Sequence, residues 1–468
     1  MRLFPLVFFV FLSGCISTMN SDLLVERTTE PEEFIIKNST VFDGFSFQEN
    51  QDVWVKDGKI FVLGTKLVAP ESITVINGQG KTLLPGLIDV HSHIFSAGAP
   101  PWRTTMGDPD TTLSANLAMG ITSLLDMAAP LGDISSWENN TEIALPRFAY
   151  AGTIFNVEHG HPAYMVDKSV TWPLSKIFKS LMISEVNSLE EAKENIDEHK
   201  EEGVSFIKIV FDEIPLHTPT FDQTLLNELV AYAHLQGLKV VAHIGAESNM
   251  ISCITAKIDL FVHGLYRSNI SDETLSLLKE SGIPLAPTSV VWDQLVKFYD
   301  NSLDFNALEK FVLDPEIKQA YDNRPTNLDI DADIEKWFEV VKQHREIKFE
   351  IVDKMYAAQI PLFVGSDSPN IGNVAGASVH RELALWKQHT QMPTEAILSS
   401  ATGLSGAWLE DYLGWKVGRI SVGYEADLLL VDGDLREDIN HSQNINSVWI
   451  GGQKVISLLP SNRTASKL

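Results

Sequence analysis

Apolar and polar positions divide the chain into three textures. Near the start, short alternating runs at Phe34 to Ile36, Val53 to Val55, Ile60 to Leu63 and Ile73 to Ile76 are separated by Asp57-Gly58, Gly64 and Asn77-Gly78. Alternation of period two bounded by such residues predicts β-hairpins. The same texture returns in Gly418-Arg419-Ile420, Ala426 to Val431 and Val448 to Val455, broken by Asp432-Gly433 and Gly451-Gly452. Neither set holds enough strands to be stable alone, so both ends of the chain are expected to build one small β-sandwich domain.

The middle reads differently. Compact apolar runs occur at Leu87 to Val90, Ile121 to Leu125, Phe148 to Ala151, Phe206 to Val210, Val240 to Ala242, Leu260 to Val262, Ile283 to Ala286 and Pro361 to Val364. Helical patterns fall between most of them, such as Leu189 to Glu202 and Leu225 to Leu235 before Gly237. Repeated βα units predict an α/β fold with a parallel sheet, and eight of them predict a closed (β/α)8 TIM barrel. An open doubly wound sheet also fits the alternation, but no G-x-G-x-x-G follows the first run. The stretch from Val291 to Met355 exceeds one βα connection, which predicts added helices over the barrel mouth. The expected division is residues 84–411 for the barrel and 33–83 plus 412–460 for the β domain.

The first residues are set apart from the fold. Met1-Arg2, an apolar run from Leu3 to Leu12, and small Ser13 and Gly14 before Cys15 have the layout of a signal peptide over residues 1–14, with a polar tether over 15–32. The run is too short to span a bilayer comfortably. Leu12-Ser13-Gly14-Cys15 resembles the lipobox of bacterial lipoproteins, which implies lipidation at Cys15 and a chain held by that lipid on the periplasmic side of a membrane, the outer membrane by preference. A cleaved secretory signal with an accidental cysteine is the alternative.

Composition narrows the partners. The 468 residues carry 36 Lys plus Arg against 62 Asp plus Glu, a formal charge of -26, so nucleic acid is not an expected partner. Two cysteines exclude a multi-disulfide framework, and Cys253 reads as a buried small hydrophobe. A small-molecule substrate is expected, and a homo-oligomer stays open.

Candidate chemistry gathers at the ends of the apolar runs. In Leu84-Pro85-Gly86-Leu87-Ile88-Asp89-Val90-His91-Ser92-His93 the two histidines are two residues apart, so in extended backbone both face one side and can reach one ion. His243 ends Val240 to Ala242, His263 ends Leu260 to Val262, Asp367 follows Pro361 to Ser366, and Lys208 lies within Phe206 to Val210. Imidazole and carboxylate at strand ends match the ligand demand of zinc-type ions.

These ordered motifs, with Gly120 to Asp126, Gly365-Ser366-Asp367, His380-Arg381-Glu382-Leu383 and the closing Gly418 to Leu430, resemble the amidohydrolase superfamily, nearest its imidazolonepropionase-like and Xaa-Pro dipeptidase-like branch. The resemblance runs from about Phe34 to Val455. It implies that His91 and His93 hold one zinc-type ion, His243 and His263 a second, and that Asp367 touches the first. It further implies that Lys208, carboxylated by carbon dioxide, bridges the two. The implied activity is hydrolysis of an amide C–N bond, in a dipeptide or N-blocked amino acid, by a metal-activated hydroxide with Asp367 as proton shuttle. Cyclic amide or lactone hydrolysis and deamination need the same hydroxide, and an exported binding lipoprotein without turnover is the rival from another class. A single-ion site with Lys208 as an ammonium paired to Asp212 or to substrate also remains open. His161, after His159-Gly160, and Tyr266 are candidates for substrate contact, Tyr266 toward a carboxylate or oxyanion. Trp292, Phe298 and Tyr299 read as core or lid packing.

Overall fold

The structure, a computed structural model, describes residues 33–455 apart from 104, 133–142, 171 and 329. Cys15, the signal segment and the tether lie outside the described residues. No helix among the described residues is long and apolar enough to cross a membrane.

The two ends of the chain share one sheet of eight strands. Its components are β1 (Phe34–Phe42), β2 (Phe47–Lys56), β3 (Lys59–Gly64), β4 (Thr74–Asn77), β5 (Lys81–Pro85), β15 (Leu428–Asp432), β16 (Ile445–Ile450) and β17 (Gln453–Val455). Asp57 and Gly58 have φ of 51° and 74°, the left-handed pair a tight hairpin needs, and they join β2 to β3 with Lys56 opposite Lys59. The ends of the chain meet where β15 runs antiparallel to β5, from Leu428 opposite Pro85 to Asp432 opposite Lys81. Phe34 on β1 and Trp449 on β16 are three strands apart in the order β1-β5-β15-β16, yet their rings stack at 5.4 Å. Strands about 4.8 Å apart would separate them by roughly 14 Å in a flat sheet. The sheet therefore curls over a core containing Phe34, Val53, Leu83, Leu428 and Trp449. The small β domain expected from both ends of the chain is thus one hydrogen-bonded sheet that folds on itself.

The middle of the chain is a barrel-like α/β unit. One parallel arc contains β6 (Leu87–Ser92), β7 (Ile121–Asp126) and β8 (Arg147–Tyr150). The other runs β10-β9-β11-β12-β13-β14, with β9 at Ile154–Asn156, β10 at Ile183–Glu185, β11 at Phe206–Val210, β12 at Lys239–His243, β13 at Leu260–Val262 and β14 at Leu285–Ala286. Every residue of β6, β7 and β11 is buried, as parallel strands covered on both faces require. Flanking helices start where the sequence supplies caps: Ser188, Asp222 and Ser271 accept hydrogen bonds from the amides of Glu191, Leu225 and Thr274.

The expectation of a closed eight-strand ladder needs correction. The third apolar run, Phe148 to Ala151, gives β8, and a further strand, β9, follows it past a break at Gly152, whose φ is 70° and where an added Cβ would stand 2.6 Å from Leu131 Cδ2. Across the break the Ser205 amide donates to the Tyr150 carbonyl at 2.9 Å. The eighth run, Pro361 to Val364, forms no strand of its own and makes a single bridge, Leu285 to Leu362. Pro361 has no N–H to donate, and the Val364 N–H goes to the Ser400 carbonyl. Two bonds with Leu285, from Leu285 N to Pro361 O at 3.0 Å and from Phe363 N to Leu285 O at 2.9 Å, and one from Val90 N to Val364 O at 3.0 Å hold this segment between β14 and β6.

The long insertion is helical, as its length predicts, with helices at Ser289–Tyr299, Ala307–Val312, Pro315–Asp322, Ala332–Gln343 and Ile347–Ala357. Trp292, Trp337 and Phe338 from this insertion pack on Tyr266 beyond β13.

Candidate metal centre

The strand ends converge as their spacing requires. His91 Nε2 lies 3.2 Å and His93 Nε2 2.9 Å from Asp367 Oδ1, and the two imidazole nitrogens are 3.3 Å apart. Ligand atoms of His91, His263 and Asp367 lie within 4.8 Å of one another. The His91 and His263 ring centroids are 4.5 Å apart, and those of His243 and His263 4.1 Å.

Local backbone sets these directions. Asp89, two residues before His91, accepts from the amides of His91 and Ser366, both at 3.0 Å, and from the Ser366 hydroxyl at 2.5 Å. One buried carboxylate thus ties β6 to the loop that carries Asp367. Burial pushes that carboxyl up to about 7 despite these bonds. His263 and Asp367 have φ of 71° and 55°, left-handed values that side chains other than glycine adopt at a cost and that recur at functional sites.

The outer nitrogens of His243 and His263 are also spoken for. His263 Nδ1 is 2.8 Å from Thr288 Oγ1, and His243 Nε2 is 3.2 Å from Asp212 Oδ2, leaving Nε2 of His263 and Nδ1 of His243 for a ligand. Asp367 Oδ2 accepts from Asn370 Nδ2 at 3.0 Å. Burial drives His91 down to about 3 and His263 well below its usual value, so both imidazoles are neutral. Asp367 is held well below the usual carboxylate range: burial opposes ionisation, and the His91 and His93 ring nitrogens bonded to Oδ1 outweigh it.

Lys208 decides whether this donor set fits a cation. Its side chain is 2% exposed, its Nζ has no partner among the described residues, and burial lowers it to about 7. An unpaired ammonium in such a place is costly. A lysine that sheds its charge beside neutral imidazoles and an ionised carboxylate fits the demand of divalent ions for anionic and imidazole ligands. The expected alternative, an ammonium paired to Asp212, is absent: Asp212 serves His243, Tyr266 and Arg267 instead.

Asp212 is the residue that sequence reasoning undervalued. It is fully buried two positions beyond β11, accepts from Arg267 Nε at 3.0 Å and Nη2 at 2.6 Å, and accepts the Tyr266 hydroxyl. Its place just past a barrel strand is the one signal the sequence offered. Tyr266 corrects an expectation, since its hydroxyl is committed to Asp212 and its ring stacks on Trp292 at 3.8 Å, leaving no free donor for a substrate carboxylate. His161 lies beside the site, its ring 5.6 Å from that of His243, and burial lowers it to about 3. His380 and Arg381 stand apart from the cluster: His380 bonds Met119 O and Ser442, and Arg381 pairs with buried Glu309.

An uncharacterized protein of Mycobacterium tuberculosis is 25% identical over 242 residues, 51% of this chain and 57% of that one, so the chain matches little more than half the length of such curated relatives. A dihydroorotase of Mycobacterium tuberculosis is 36% identical over 80 residues, 17% of this chain and 18% of that one. The crystal structure of a Xaa-Pro dipeptidase with methionine in its active site superposes with a TM-score of 0.72 at 20% identity, covering 90% of this chain and 99% of that chain, which establishes likeness of fold. The model of the Amidohydrolase family matches residues 82–455, which include every residue of the cluster, and the chain belongs to that family.

Proposed function

We propose that this chain hydrolyses an amide C–N bond of a small molecule, a dipeptide or N-blocked amino acid, with two zinc-type divalent ions. His91, His93 and Asp367 would hold one, His243 and His263 the other, and Lys208 as its carbamate would bridge them. The observation that carries the reading is the convergence of neutral His91 and His263 with ionised Asp367 around an unpartnered, buried Lys208 Nζ. When bound, such ions polarise a carbonyl and bring the pKa of water toward neutrality. Asp367, whose Oδ2 is fixed by Asn370, takes the proton of the attacking water and returns it to the leaving nitrogen. Asp212 and Thr288 hold the rings of His243 and His263 in one orientation. Trp292, 5.4 Å from the His263 ring, and Tyr266 wall one side against water.

The dipeptide part rests on likeness of fold to the Xaa-Pro dipeptidase. Cyclic amide hydrolysis is the second reading, supported by the stretch similar to dihydroorotase. Export and lipidation at Cys15 belong to the same proposal and rest on the sequence of residues 1–15. The test is metal content per chain followed by a panel of dipeptides, N-acyl amino acids and cyclic amides. Two ions per chain with turnover of a linear amide is the expected result. A metal-free chain, or ligand retention without product, would refute the reading.

A further inference from the structure

We infer that Glu382, on the Ala377–His389 helix, is a positioning residue for the site, acting through Thr288 on His263. The inference rests on the metal-site reading above. Thr288 precedes the Ser289–Tyr299 helix, and threonine there ordinarily accepts from the amides of the first turn. Here its side chain caps nothing, because Oγ1 is 2.8 Å from His263 Nδ1. Its backbone is left-handed, φ 44° and ψ 49°, a conformation that a β-branched residue adopts only under strain.

The amides of Ser289 and Val290 in the first turn still need acceptors, for both residues are buried. Glu382 supplies them from 93 residues away: Oε1 accepts from Ser289 N at 2.8 Å and Oε2 from Val290 N at 2.6 Å. The carboxylate is itself fixed by Trp386 Nε1 at 2.7 Å, and Lys348 Nζ grips the Ser289 carbonyl at 3.0 Å. Ser289 is thus clamped at both its N–H and its C=O. One turn on, Trp292 lies against His263. A left-handed Thr288 cannot turn its hydroxyl onto the N–H groups of the first turn. The clamp from another helix holds the first turn in place of that cap, and with it the strained Thr288 backbone that aims its hydroxyl at a ligand imidazole.

With Nδ1–H donating to Thr288, His263 keeps Nε2 as its lone pair. Glu382→Gln replaces one acceptor oxygen by an NH2, so one helix amide loses its partner and the clamp on the left-handed Thr288 backbone loosens. His263 then loses the bond that fixes its tautomer.

The test uses the full chain, metal-free and labelled with 15N-histidine, with His263 assigned from a His263→Gln spectrum. Wild type is expected to show a single Nδ1–H tautomer. Glu382→Gln and Thr288→Val should each show a mixture, and the double variant should match Thr288→Val alone. Titration with Co2+ should show roughly tenfold or greater weakening at the second ion in both single variants. A folded Glu382→Gln chain with one unchanged His263 tautomer, or with an effect that adds to that of Thr288→Val, would overturn the inference. If Glu382→Gln does not fold, Trp386→Phe, which frees the carboxylate without removing it, is expected to produce the same mixture in smaller proportion, and an unchanged tautomer there overturns it. A wild-type chain that binds no divalent ion removes the hydrolase reading, while the tautomer comparison, made without metal, decides the Glu382 inference separately.

Discussion

Asp212→Asn isolates the buried node behind His243. The wild-type carboxylate accepts from Arg267 on Oδ1 and from His243 Nε2 and Tyr266 on Oδ2, with no exposure to solvent. Asparagine keeps the volume and one acceptor oxygen. With that oxygen on Arg267, the NH2 meets the Tyr266 hydroxyl and the His243 N–H, leaving two buried donors unpaired at about 1–3 kcal/mol each. By a separate route, removing one charge of a buried ion pair costs about 3–5 kcal/mol. The two routes meet near 4 kcal/mol, to be read from denaturant unfolding of the chelator-treated chain. His243 also loses the partner that leaves Nδ1 free, so affinity for the second ion should fall about 10–100-fold in a Co2+ titration. The pH dependence carries a sign. Burial works against the Asp212 carboxylate, but the His243 hydrogen bond, the Arg267 charge and the Tyr266 hydroxyl hold it well below the usual range. A carboxyl depressed on folding contributes fully above its unfolded value near 4, and that contribution is lost as pH falls through the folded value. Wild type should therefore lose more stability than Asp212→Asn on acidification below about pH 5. A variant within about 1 kcal/mol of wild type, with unchanged Co2+ affinity, would refute the reasoning.

Lys208→Ala should lose metal and activity, and added formate or acetate should restore part of both; normal turnover, or saturation of wild type at one ion per chain, would remove the bridge. Asp367→Asn should fold and retain metal but lose most of its rate, since an amide accepts no proton at neutral pH, and a near-normal kcat in the metal-loaded variant would dismiss Asp367 as shuttle. Trp449→Ala removes the ring that stacks on Phe34 and should cost about 3–5 kcal/mol, read as a lowered unfolding midpoint, whereas an unchanged midpoint would argue against the curled sheet as a joint core of both chain ends. Cys15→Ser should abolish membrane fractionation, and wild type lacking the mass of acyl chains at Cys15 would defeat the lipid assignment.

His91, His93, Lys208, His243, His263 and Asp367 stood out in the sequence because each sits in or beside a short apolar run, where the functional side chains of βα folds gather. The hairpin at Asp57-Gly58 was legible for a local reason, a backbone geometry that few residue pairs adopt without strain. The rest depends on pairs distant in sequence. Asp212 reads as an ordinary acid until folding brings Arg267, 55 residues on, against it, and then it becomes an ion-paired anchor for His243 rather than a counter-ion for Lys208. Tyr266 reads as a free donor until the same carboxylate takes its hydroxyl. Glu382 carries no local sign that it caps a helix 93 residues earlier. The interrupted ladder at Gly152 and Pro361, and the curling that stacks Phe34 on Trp449, follow from which backbone groups find partners once the strands are assembled. Periodicity fixed the direction of side chains within the strands; only the tertiary structure decided their partners, because desolvation drives buried polar groups to bond with whatever the fold sets beside them.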